Sequence, residues 1–219
     1  MSLKQQQDSA LSISINTNDT IDVGHNLFNV GYLPLKLIYN ELDLFTLFKK
    51  VHRKSKIEYS LNDIFQLLIY SRILFPASKK ETFDNKDRFF QPFTGISLDD
   101  MYNSLDNYDS LKKDIQQWIW NTTKDTYHRD ASTSYYDCTN YYFEIANNDI
   151  DLLDEQGNIL EKGYRKRGPE KNKRPDPIVQ MGLLMDSNGI PLSYDLFPGN
   201  ESEKTSLRPL MKRTKATYG

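Results

Sequence analysis

At about residue 130 the hydrophobic pattern of this chain changes period, and that change limits its fold more than any other feature. Before it, apolar residues recur at helical spacing. After it, they alternate as in strands. The order predicts an α+β protein, with a helical region preceding a sheet. We divide the 219 residues accordingly. Residues 1–33 form an N-terminal arm, 34–129 a helical region for scaffolding, dimerisation or DNA binding, and 130–219 a region that begins with strands.

The helical region is punctuated by its own caps. Pro34 suits a first turn, and Leu35, Ile38, Leu42, Phe45 and Phe48 follow with helical spacing. Ser60 with Asp63, Ser78 with Glu81, and Ser97 with Asp100 each place an N-cap hydroxyl three residues before a carboxylate. Pro76 closes the second run. Leu111, Ile115, Trp118 and Ile119 mark a final helix, with Trp118 expected in the core. Short helices so close together fit a helix-turn-helix for DNA, and they fit any small helical domain equally. The acidity of this stretch favours a scaffold or dimerisation role. In the arm, Leu11, Ile13 and Ile15 alternate within a Gln-, Ser- and Asn-rich stretch, which fits a short strand or a loose segment.

Beyond residue 130, residues 132–145 read as a strand dense in aromatic and β-branched residues. Residues 146–176 read as an irregular excursion. Residues 177–186 and 190–197 form two strands around the turn Ser187-Asn188-Gly189. A helix from Ser202 or Glu203 to about Lys215 follows Pro198-Gly199-Asn200. Asn200 is placed to cap it, with Glu203 then at the third position of its first turn.

Charge is divided along the chain. Residues 1–161 hold 16 Lys and Arg against 24 Asp and Glu, whereas residues 162–219 hold 12 against 6. The basic half suggests a polyanionic partner; a solvated loop and a basic helix face account for the same numbers. No apolar run approaches the roughly 18 residues that cross a bilayer, so no membrane partner is expected. Lys4, Gln5, Gln6, Gln7 and Asp8 lack the apolar core of a signal peptide. A single cysteine, Cys138, excludes an intrachain disulfide framework and a cysteine-cluster zinc site. A reducing, cytoplasmic setting is expected. His25, His52 and His128 show no ligand spacing.

Two features carry possible chemistry. Asp137 stands within the aromatic strand, where propensity disfavours it. A carboxylate fixed there is a rigid holder for a divalent cation. Hydrogen bonding to a neighbour, or water at a sheet edge, explains it as well. The stretch Tyr164–Arg174 contains Arg165, Lys166, Arg167, Lys171, Lys173 and Arg174, with Gly168 and Pro169 keeping it extended. It can neutralise DNA phosphates, or it is a solvated loop.

These segments together resemble the front of the catalytic domain of DDE-type insertion-sequence transposases of the IS4-like superfamily. Tyr136, Asp137, Thr139, Tyr142, Phe143 and Glu144 match a pattern of the form Tyr-Asp-x-Thr-x-x-Tyr-Phe-Glu. Gly168, Lys171, Arg174 and Asp176 follow a Gly-x-Ser-Lys-x-x-Arg-x-Asp segment with adjusted spacing and no serine. Gly199, Asn200 and Glu203 follow Gly-Asn-x-x-Glu. The resemblance covers about residues 132–212. It implies a ribonuclease-H-like fold, metal-dependent cleavage and transfer of DNA strands in transposition, and Mg2+ or Mn2+ as cofactor. It also implies Asp137 as the first of three catalytic acids, and DNA and possible self-association as partners. Glu144 is separated from Asp137 by an odd number of steps and is expected at the surface or in a salt bridge. In the family the second Asp and the Glu come later, beyond Gly219. The chain is therefore expected to be an N-terminal, truncated part of such an enzyme, inactive by itself. A non-catalytic DNA-binding remnant, and an unrelated α+β scaffold, are the alternatives.

Overall fold

A computed structural model describes residues 28–168 and 176–218. It is an α+β structure in which helices precede a small antiparallel sheet. The helices are α1 (Leu33–Glu41), α2 (Leu44–Lys54), α3 (Leu61–Leu74), α4 (Lys79–Asp84), α5 (Leu98–Ser110) and α6 (Lys112–Thr123). None of the described helices is long and apolar enough to cross a membrane.

The local cap signals act as read. Ser60, Ser78 and Ser97 accept hydrogen bonds from the backbone N–H groups of Asp63, Glu81 and Asp100. The Asp100 carboxylate in turn accepts from the Ser97 backbone N–H, completing a capping box. The apolar run from Leu35 to Phe48 is not continuous. Asp43 takes a left-handed conformation (φ 48°) and separates α1 from α2, a conformation that Asp tolerates better than most residues. Its carboxylate accepts from the Thr46 hydroxyl at 2.7 Å, which favours the break.

Two adjoining apolar clusters hold these helices. One gathers Tyr32, Ile64, Leu67, Tyr70, Phe89, Phe93 and Met101. The other gathers Tyr39, Leu44, Leu47, Phe48 and Leu61, with Trp118 against it. Trp118 donates its indole N–H to the Leu42 carbonyl at 3.0 Å, which satisfies its polar edge while the ring packs.

The main sheet has the order β1-β4-β5, all antiparallel. Its strands are β1 (Tyr135–Tyr142), β4 (Ile178–Met185) and β5 (Pro191–Pro198). β4 and β5 form the expected hairpin. At its turn Gly189 has φ 78°, a region in which a side chain is strained. Helix α7 (Glu203–Tyr218) covers one sheet face. On that face Leu184, Leu192, Phe197 and Leu210 form a third cluster, with Trp120 and Tyr136 packed against it.

Two expectations are corrected. The excursion after β1 contains a short second sheet, β2 (Leu152–Leu153) paired with β3 (Ile159–Glu161). It is too short for periodicity to reveal. Its aliphatic side chains, Leu152, Leu153, Ile159 and Leu160, are exposed, as is the preceding Ile150. The cap of α7 is also different. Ser202 lies immediately before the helix and accepts from the Thr205 N–H. Asn200 therefore lies upstream of the cap, and Glu203 is the first helical residue rather than the third position of the turn.

Candidate functional site

Asp137 is the third residue of β1, opposite Leu183 of β4, and it is exposed. The alternation of β1 sends Tyr136 and Cys138 toward α7 and leaves Asp137 on the other face. Register places Tyr135, Thr139, Tyr141, Met181, Leu183, Tyr194 and Leu196 on that same side. The Asp137 carboxylate makes no hydrogen bond or ion pair with another described residue. Glu144 lies just past β1 and is exposed, as expected.

Opposite Asp137, the strand is locked to α7. The Tyr136 hydroxyl lies 2.6 Å from Ser206 Oγ and 2.9 Å from Cys138 Sγ. Burial pushes its pKa up, and the adjacent thiol adds to that. Gly182 makes room for the ring, since a Cβ there would lie 2.7 Å from the Tyr136 oxygen. Asp137 is thus held on a fixed strand, with its carboxylate turned to solvent.

A divalent cation of the magnesium type takes six oxygen ligands, commonly including one or two carboxylates and several waters. Two-metal chemistry needs carboxylates enough for both ions. Among the described residues no group of three His, Cys, Asp or Glu is placed to hold a metal. The neighbours of Asp137 on its face are aromatic, aliphatic and hydroxyl side chains. The described residues therefore do not complete a metal site.

The basic stretch departs from a free cationic loop. Arg165 donates through Nε to Asp149 Oδ1 at 2.7 Å, and its own N–H reaches Asp149 Oδ2 at 2.9 Å. Lys166 pairs with Asp151 at 2.7 Å, and Lys162 with Glu201 at 2.6 Å. Arg167 donates to the Ala146 carbonyl at 2.6 Å. Arg165 lowers the pKa of Asp149, and Lys166 that of Asp151. The segment is also stitched into the sheet: Lys166 and Ile178 exchange backbone hydrogen bonds at 3.0 and 3.1 Å. Gly168 and Gly199 permit this approach, since a Cβ on Gly168 would stand 1.8 Å from the Gly199 carbonyl oxygen. Lys171, Lys173 and Arg174 lie outside the described residues.

The structure thus brings Arg165, Lys166 and Arg167 together with acids and carbonyls of the same excursion, and leaves Asp137 separate from them. Reading the run of cations alone missed Asp149 and Asp151, which lie about 16 residues upstream. Comparison with protein-family models, with curated proteins and with solved structures gives no match for this chain.

Proposed function

We propose that residues 130–219 belong to a DDE-type transposase catalytic domain, with a ribonuclease-H-like fold and DNA as its substrate. In that reading Asp137 is the first catalytic acid and Mg2+, or Mn2+ in its place, is the metal. The observation that carries it is the placement of Asp137: an unpaired carboxylate on a rigid strand, aimed away from the helix that covers the sheet. Further carboxylates would have to come from outside the described residues.

The test is a Mn2+ titration of 15N-labelled protein. Paramagnetic broadening centred on the Tyr136–Cys138 amides, lost in Asp137→Asn, is expected. Broadening elsewhere, or none at millimolar Mn2+, removes Asp137 from the metal. Plasmid nicking with Mg2+ or Mn2+ is the companion assay. Because two-metal cleavage needs more carboxylates than Asp137, and the described residues group no others with it to hold a metal, no nicking is expected.

That no group of three His, Cys, Asp or Glu among the described residues is placed to hold a metal favours a second reading, a non-catalytic DNA-binding protein derived from such an enzyme. It predicts DNA binding that Mn2+ and Asp137→Asn leave unchanged.

A further inference from the structure

Helix α7 separates its residues sharply by chemistry. Ser206 and Leu210 are fully buried against the sheet, and Arg213 reaches inward to Asp195 of β5. At about 100° per residue these three cluster on one side of the helix. Lys204, Arg208, Lys212 and Lys215 lie on the opposite side, within an arc of about 80°. All four are exposed. None of their side chains takes part in an ion pair or hydrogen bond with another described residue. Glu203, at the first position, is the sole acid of the helix.

We propose that this outer face of α7 binds the sugar-phosphate backbone of duplex DNA, independently of base sequence. The proposal rests on the DNA reading above and names the surface that serves it. Four unopposed cations spread over about 16 Å of helix match a repeating line of charge. That length of duplex axis carries about five phosphates on one strand. The excursion at residues 162–168 is a poorer candidate, because Lys162, Arg165 and Lys166 already face Glu201, Asp149 and Asp151. An anionic membrane is a poorer partner, because the apolar side of α7 is turned into the sheet and cannot insert.

The experiment is a fluorescence anisotropy titration of a labelled 30-base-pair duplex at several salt concentrations. Four phosphate contacts give a log–log slope of about −3.5, or roughly 100-fold weaker binding between 50 and 200 mM salt. The variant Lys204→Gln, Arg208→Gln, Lys212→Gln, Lys215→Gln should bring that slope near zero. A charge-preserving variant, Lys204→Arg, Lys212→Arg, Lys215→Arg, should retain it. Circular dichroism and melting of both variants check the fold. An unchanged slope in the glutamine variant overturns the proposal. So does stronger binding to phosphatidylserine vesicles than to the duplex. If Arg165→Gln, Lys166→Gln, Arg167→Gln alone flattens the slope, the α7 assignment fails while the DNA reading stands. If the α7 variant loses DNA but Mn2+ never reaches Asp137, the surface stands and the catalytic reading fails. No duplex binding at 50 mM salt removes both.

Discussion

A buried ion pair shows how much one residue can carry in this structure. Arg129 and Asp186 are 1% and 0% exposed and meet at 2.7 Å. Both of the remaining guanidinium nitrogens and the second carboxylate oxygen also have partners. Arg129 donates to Thr123 Oγ1 and to the Ile190 and Pro191 carbonyls. Asp186 accepts from the Asn188 and Ile190 N–H groups. Burial raises the Asp186 pKa, but Arg129 and the two N–H groups outweigh it and leave the carboxyl below its ordinary value. Removing one partner leaves a buried charge unpaired, so Asp186→Asn should cost about 3–5 kcal/mol in urea unfolding. A depressed carboxyl stabilises the fold fully above its unfolded pKa of about 3.9, and that contribution is lost as pH falls through the folded value. The wild type should therefore lose stability below about pH 4. Asp186→Asn should show a shallower acid limb; an unchanged limb would assign the acid sensitivity to other carboxylates. Nothing in the sequence paired Arg129 with Asp186, because their contact depends on how the helical region meets the hairpin.

At the scale of elements, legibility followed locality. The caps at Ser60, Ser78 and Ser97 need only neighbours within three residues; each hydroxyl caps as read, while the reciprocal carboxylate bond of a full box forms at Ser97 alone. The hairpin of β4 and β5 was equally plain, since its turn and its alternation are local. Around α7 two cap signals overlapped, and spacing alone favoured Asn200. Ser202 prevails because its hydroxyl reaches the Thr205 N–H and the Thr205 hydroxyl, the latter at 2.7 Å. Ser202→Ala should lower stability by about 1 kcal/mol, and Asn200→Ala by much less. Equal losses in thermal melts would return the cap to Asn200. The β2–β3 hairpin was not legible, because its strands are two and three residues long and their aliphatics stay exposed. What anchors its base is pairing across the excursion, Asp149 with Arg165 and Asp151 with Lys166. Of the candidate site, the strand that carries Asp137 was legible. The state of the cations was not, since their partners are set by the fold of the excursion.

Across the whole molecule, α6 is the piece that joins helices to sheet. Trp118 and Trp120 stand two residues apart and therefore point to opposite sides of the helix. Trp118 packs in the second helical cluster. Trp120 packs against the sheet cluster, meets the Tyr218 ring at a tilt with centroids 5.3 Å apart, and lies under the Arg129 guanidinium at 4.9 Å. Lys112, the first residue of α6, pairs with Asp195 at 2.8 Å, and Arg213 of α7 pairs with the same carboxylate. With the buried pair of Arg129 and Asp186, these contacts tie residues on either side of position 130 through apolar packing and charge together. The divide in the sequence should therefore not be a divide in stability. Each tryptophan reports one side, and they are the only two in the chain. Trp120→Phe leaves Trp118 reading the helices, and Trp118→Phe leaves Trp120 reading the sheet. In each variant the urea midpoint by fluorescence should equal the midpoint by far-ultraviolet circular dichroism, as for a single cooperative unit. Separate midpoints would show that the helical region and the sheet unfold independently, with α6 as a linker rather than a joint. Asp195→Ala supplies the sharper case, because it strands Lys112 and Arg213 beside each other without their shared anion. It should lower both midpoints together; a shift confined to Trp120 would place the break between α6 and β5.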